Sequence, residues 1–166
     1  MNLNKVYLSL GSNLGSRLDV LNQATLLIGQ HIGDVVKQSS VYETSAWGIN
    51  DQPDFLNMAI EVNSNLSPVE ILEQVNEIEK QLGRVRFEKW GMRKIDIDIL
   101  FYNDMVLETP ELTIPHPHLH VRKFVLIPLS EIAGDFNHPK LKESVRKLLD
   151  QCKDELGVKL CKTEVI

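Results

Sequence analysis

Ile95-Asp96-Ile97-Asp98-Ile99-Leu100-Phe101-Tyr102 decides the fold. It is apolar except for its two aspartates, and its length and β-branched content predict a strand. Upstream, Ser67-Pro68-Val69-Glu70 is a capping box with proline at the first helical position. Ile71, Val75, Ile78 and Leu82 then repeat on one helical face, and Gly83 reads as a C′ stop. Before that helix, Phe55 to Asn63 and Val35 to about Tyr42 alternate as strands. Ser16 to about Gly33 is helical, with Ser16 as N-cap and Leu18, Leu21, Ala24 or Thr25, and Ile28 on one face. Val6 to Leu10 is a buried first strand. The order β-α-β-β-α-β predicts an α+β fold, the ferredoxin-like split β-α-β, with one sheet and helices on one face. Downstream, Asn103-Asp104 is a turn, and Pro110, Pro115, Pro117 and Pro128 mark irregular segments. Lys140 to about Cys152 is helical and Val158 to Cys161 a short last strand. A mostly irregular and helical C-terminal extension thus completes a single domain over residues 1–166.

Composition narrows the class. Of 166 residues, 43% are apolar and 25% charged, ordinary for a soluble globule. No apolar run is long enough to span a membrane, and the N-terminal residues lack a signal-peptide core. Two cysteines, Cys152 and Cys161, form no C-x-x-C, which fits a reducing cytoplasm. A net charge of −5 disfavours non-specific binding to a polyanion. The expected partners include neither nucleic acid nor membrane, and the chain is expected to be a monomer.

Local charge runs the other way. In a strand Asp96 and Asp98 project to one face while Ile95, Ile97 and Ile99 project to the other. Two adjacent same-face carboxylates repel unless something positive lies between them. Mg²⁺ suits the pair, because it prefers one or two carboxylates plus phosphate oxygens. The competing reading is a salt-bridge network with Arg84, Arg86 or Arg93. Between Gly83 and Ile95 lie Arg84, Arg86, Lys89, Arg93 and Lys94, opposed only by Glu88. A solvated basic loop is the simpler account, yet a polyphosphate needs both forked arginine contacts and carboxylates for its metal. Trp90 in that loop either stacks on a base or packs into the core.

Other motifs carry less. Gly11-Ser12-Asn13-Leu14-Gly15 joins a strand to a helix but lacks the lysine of a P-loop. His116, His118 and His120 alternate, yet the surrounding prolines and the absence of a nearby cysteine or acid argue against zinc. A histidine and Arg122 beside a phosphate fit better. Thr44 to Trp47, Phe55 and Asn57 combine rings and polar groups in a way that suits a flat heteroaromatic ligand.

Taken in order, Gly11–Gly15, Asp51-Gln52-Pro53-Asp54-Phe55-Leu56-Asn57, Gly83-Arg84-Val85-Arg86, Trp90-Gly91-Met92-Arg93-Lys94 into Ile95–Leu100, and Ile114-Pro115-His116 form a larger pattern. It resembles the 6-hydroxymethyl-7,8-dihydropterin pyrophosphokinases of folate biosynthesis, from Val6 to about Ala133. The resemblance implies a ferredoxin-like enzyme that transfers the β,γ-diphosphate of ATP to the pterin hydroxymethyl group and releases AMP. Its partners are then ATP and the pterin, and its cofactor Mg²⁺, two ions held by Asp96 and Asp98. Glu79, Arg84, Arg86, Trp90, Arg93, Ile99, His116 and Arg122 match positions that meet ATP, with Arg86 on a mobile covering loop. Thr44, Ser45, Ala46, Trp47, Phe55, Asn57 and Phe124 match the pterin pocket. Arg84, Arg93, Asp96 and Asp98 are the implied catalytic set. Lys89, Met92 and Pro117 depart from the family pattern, where arginine, proline and tyrosine are common, and residues after about Asn137 align poorly.

A primary alcohol must then be aligned with a phosphorus shielded by anionic oxygens, with little covalent work for the protein. One expected metal bridges the α- and β-phosphates; the other also contacts the pterin hydroxyl. Two alternatives stand beside this reading. A Mg²⁺-dependent nucleotidyltransferase would release pyrophosphate instead of AMP. A non-catalytic ferredoxin-like module would need no D-x-D.

Overall fold

The computed structural model describes residues 3–13, 16–44, 55–83 and 95–161. β1 (Asn4–Ser12) runs through the middle of the sheet because both its faces are buried. Val6, Leu8 and Leu10 point to one core, and Tyr7 to the other. α1 (Arg17–His31) follows, burying Val20, Leu21, Ala24 and Ile28. Its N-cap residue Ser16 makes no side-chain capping bond, so that expectation fails in detail.

The expected second strand is two strands, β2 (Asp34–Gln38) and β3 (Tyr42–Thr44), both antiparallel to β4 (Phe55–Ser64). The break lies at Ser39-Ser40-Val41: the Ser39 N–H still reaches the Ala59 carbonyl of β4 at 2.9 Å, but side chains take over the bonds around it. The Ser39 hydroxyl accepts from the Ala59 N–H at 2.9 Å, and the Ser40 N–H donates to Glu131 at 2.6 Å. α2 (Pro68–Gly83) has the capping box the sequence predicts. Ser67 N–H donates to Glu70 Oε1 at 2.8 Å, and Glu70 N–H to Ser67 Oγ at 3.2 Å. The helix runs through Gly83 instead of stopping before it.

β5 (Asp96–Tyr102) closes the sheet against β1. The strand order is β5-β1-β4-β3, extended by a last strand β8, with β2 also on β4. A small hairpin, β6 (Leu107–Glu108) and β7 (Thr113–Ile114), precedes a 3₁₀ turn at Leu119–Val121. α3 (Lys123–Ala133) then contains Pro128, which the sequence reading had placed in an irregular segment. The proline removes one N–H from the helix. Burial of Val125, Leu126, Leu129 and Ala133 outweighs that loss. α4 (Val145–Gln151) starts later than expected, because Lys142 sits at φ 62° and Ser144 caps the helix by accepting from Lys147 N–H at 3.1 Å. β8 (Val158–Leu160) is the predicted last strand and pairs with β3.

Helices therefore cover both faces. α1 and α2 seal the face of Leu8, Ile60, Ile97 and Ile99. α3 and α4 seal part of the other, over Tyr7, Ala59, Leu100 and Phe101. This second layer comes from the C-terminal third, and the expectation of helices on one face holds only for the first two. It stops short of the strand ends carrying Gly11, Asn57 and Asp96, and a cavity opens there.

Candidate active site

The cavity encloses about 580 Å³ and is lined by Ser9 and Gly11 of β1, Thr44 of β3, Phe55 and Asn57 of β4, and Asp96 and Asp98 of β5. His118, Val121, Arg122, Phe124, Asp154 and Leu156 form the facing wall. Seven of the expected site residues are thus assembled: Thr44, Phe55, Asn57, Asp96, Asp98, Arg122 and Phe124.

Strand register puts the carboxylates there. Asp98 pairs with Ser9 and Asp96 with Gly11, so both lie over small residues on the open face. Ile95, Ile97 and Ile99 fill the opposite core. The alternation breaks one step later. Register passes from Leu8–Ile99 to Tyr7–Phe101, leaving Leu100 as a bulge. The Leu100 carbonyl instead accepts the His116 N–H at 3.1 Å, which docks that histidine beside β5. His116 Nδ1 accepts from the His118 N–H at 3.1 Å, so a neutral His116 carries its proton on Nε2. Burial pushes the His116 imidazole pKa down, and the Asp98 charge pulls it partly back. The opposite side of β5 is held by α2: Glu79 Oε2 accepts the Ile97 N–H at 2.7 Å, between the two aspartates. Glu79 was expected to contact ATP; the structure shows its carboxylate pinning the strand that carries the acids.

The donor set fits a hard cation. Two carboxylates face one cavity, and none of the ion pairs among the described residues takes Asp98. The described residues bring together no group of three or more metal-ligating side chains. A carboxylate pair of this kind suits Mg²⁺, which takes most of its ligands from phosphate and water. The three alternating histidines diverge accordingly: His116 and His118 rings lie 6.0 Å apart, while His120 sits against His138 at 6.5 Å.

The far end suits a flat ring. Asn57 and Thr44 are both buried, and Asn57 Nδ2 donates to Thr44 Oγ1 at 2.8 Å. Gly11 pairs with Asn57 across the strands, and a Cβ built on Gly11 would lie 3.0 Å from Asn57 Oδ1. Gly11→Ala is therefore expected to turn the amide by a few tenths of an ångström, at about 1 kcal/mol, roughly fivefold in KM for a ring ligand. Unchanged KM in steady-state kinetics would show that the amide has room to spare. Phe55 and Phe124 supply apolar walls, and the Arg122 guanidinium lies 5.8 Å from the Phe124 ring centre.

Other expected residues fall elsewhere. The Ile99 side chain is buried in the α1/α2 core, so only its backbone is left for a ligand. Ser45, Ala46, Trp47, Arg84, Arg86, Trp90 and Arg93 lie outside the described residues, as do Lys89 and Met92. His118, one of the alternating histidines, joins Arg122 on the wall, whereas Ser9, Val121, Asp154 and Leu156 were not anticipated. Ser9 was legible as an alternate-position residue of a strand; Asp154 and Leu156 had no local signal.

A model of the family described as 7,8-dihydro-6-hydroxymethylpterin-pyrophosphokinase matches residues 7–134. The 2-amino-4-hydroxy-6-hydroxymethyldihydropteridine pyrophosphokinase of Bacillus subtilis (strain 168) is 48% identical over 130 residues, 78% of each chain. Its counterpart in Aquifex aeolicus (strain VF5) is 40% identical over 142 residues, 86% of this chain and 88% of that one. A crystal structure of Plasmodium falciparum HPPK-DHPS superposes with a TM-score of 0.75 at 19% identity, covering 90% of this chain. This chain spans 45% of that longer one, and at such identity the likeness concerns the fold.

Proposed function

The chain belongs to the 7,8-dihydro-6-hydroxymethylpterin-pyrophosphokinase family and transfers pyrophosphoryl from ATP to the hydroxymethyl group of the dihydropterin in folate biosynthesis; from that premise we propose how its residues divide the work. Asp96 and Asp98 hold two Mg²⁺ ions at the phosphate end of the cavity. Thr44, Asn57, Phe55 and Phe124 hold the pterin at the other. The observation that carries this reading is that one cavity joins both carboxylates to a buried amide and two aromatic rings. When bound, magnesium would neutralise phosphate charge and make the attacking hydroxyl more acidic.

The protein's own part is placement. Glu79 and the Leu100 bulge fix β5 and His116, so the acids sit at one end of the cavity before substrate arrives. His116, with its proton on Nε2, offers a neutral donor to a phosphate oxygen. Arg122, on the cavity wall itself, brings a permanent positive charge. Arg84 and Arg93 are assigned charge stabilisation on the transferred group, with Arg86 and Trp90 covering the nucleotide and Ser45, Ala46 and Trp47 flanking the pterin. These assignments rest on sequence resemblance.

The ferredoxin-like description is supported by the strand order, in which β5 and β4 flank β1 and the split β2/β3 follows on β4. Two free thiols support a reducing, cytoplasmic setting. No described helix is long and apolar enough to cross a membrane.

The test is product analysis. Protein, Mg-ATP and the reduced pterin alcohol should yield AMP and pterin diphosphate in equal amounts, with no free pyrophosphate. Pyrophosphate release, or no turnover, would overturn the reading.

A further inference from the structure

The family match ends at residue 134, yet the cavity wall does not. Asp154 and Leu156 line it from a strap between α4 and β8. That strap is tied at both ends. The Cys152 N–H closes α4 on the Leu149 carbonyl at 3.1 Å. Beyond the strap, Val158 pairs with Thr44, and the Cys161 N–H reaches the Val41 carbonyl at 2.9 Å.

Asp154 meets the start of α3. Helices favour Ser, Thr, Asp or Asn at the N-cap, whose oxygen satisfies a free backbone N–H. α3 instead has Arg122 there, with extended backbone and no side-chain capping bond. A cation also sits badly at the positive end of a helix dipole. Asp154 supplies what Arg122 cannot: its Oδ2 accepts the Lys123 N–H at 3.0 Å, from 31 residues along the chain. Its Oδ1 accepts the Leu156 N–H at 3.0 Å, a short turn that sets the strap next to the cavity. Both carboxylate oxygens are thus engaged with backbone.

We propose that Asp154 is a positioning residue for the substrate site, capping α3 from a distance so that Arg122 and Phe124 face the cavity, while Leu156 forms part of the wall against the pterin. The proposal rests on the assignment of this cavity to ATP and pterin. It explains how an arginine can stand at a helix start: the site needs the guanidinium there, and the missing cap comes from the C-terminal strap.

The test uses the full chain and AMP formation at varied pterin and varied ATP. Asp154→Ala is expected to raise KM for both the pterin and ATP about tenfold, with kcat changed by less than about twofold, because Phe124 and Arg122 bind those two substrates and their misplacement is read in binding. Asp154→Asn keeps an acceptor oxygen and is expected to return KM to within about twofold of the parent. Leu156→Ala is expected to raise pterin KM and leave ATP KM unchanged. If Asp154→Ala fails to fold, Leu156→Ala and Asp154→Asn decide the matter, with parent-like pterin KM in Leu156→Ala overturning the proposal. Failure of Asn to rescue a folded Asp154→Ala, or a fall in kcat matched by a fall in Tm with KM unmoved, also overturns it. Absence of AMP from the parent protein would instead overturn the assignment of the cavity.

Discussion

Asp98→Asn is expected to cut AMP formation by at least about a hundredfold while the protein stays folded, the scale seen when charge stabilisation of a transition state is removed. The substitution changes little but charge. Asn is nearly isosteric with Asp, and the position sits over Ser9 on the cavity-lining face of β5. In the metal-free protein the variant even loses a repulsion, since Asp96 and Asp98 share that face. Its Tm without magnesium should therefore match or exceed the parent's. Ligand linkage supplies a second readout. Mg-ATP should raise the parent's Tm because it binds only the folded chain, and should raise the variant's much less. A rate within tenfold of the parent, or an equal Mg-ATP shift, would remove Asp98 from the proposed metal site.

The same strand explains why the acids sit there at all. Among the described strands β5 pairs only with β1, as an edge strand, so some of its backbone groups need partners outside the sheet. Glu79 takes the Ile97 N–H on behalf of α2, and His116 meets the Leu100 carbonyl. An edge that in many proteins is a liability is here taken up by Glu79 and His116. The bulge at Leu100 adds a second effect. It turns both Leu100 and Phe101 into the α3/α4 core, where the Phe101 ring packs tilted at 4.7 Å from Phe136, so the acid-bearing half of the strand is anchored by its apolar half.

How much of this was legible depends on range. The capping box at Ser67, the apolar face of α2 and the alternation of β5 are local patterns, and each appears where the sequence places it. The aspartate pair was readable for the same reason. What escaped depends on contacts distant in sequence. The split between β2 and β3 requires Ala59 and Glu131 to receive Ser39 and Ser40. Pro128 reads as a breaker until the burial of Leu126 and Leu129 is known. Asp154 looks like one more surface acid until α3 starts beside it. Resemblance grouped Thr44, Phe55, Asn57 and Phe124, which the structure places around one cavity, but it named positions and not the bond between Asn57 and Thr44.

That bond leads to the second large effect. Asn57→Leu is expected to weaken pterin binding by roughly 10- to 100-fold, the range of one buried hydrogen-bonding group left without its partner. Asn57 is 3% exposed, and its Nδ2 spends one N–H on Thr44 Oγ1. Its Oδ1 lies against Gly11, the one place on β1 where no Cβ would press on it. The amide is thus held in one orientation, keeping a second N–H and an oxygen for a ring with alternating donors and acceptors. Leucine fills nearly the same volume, so the sheet should persist, but it abandons both the ligand and the buried Thr44 hydroxyl. Thr44→Val removes the other half of the pair and is expected to cost less, since the amide itself remains. The two changes share one hydrogen bond, so the double variant should be less impaired than the product of the single effects. Fully multiplicative effects on pterin KM would mean that Thr44 and Asn57 act on the ligand separately, and a parent-like KM for Asn57→Leu would move the pterin out of this end of the cavity.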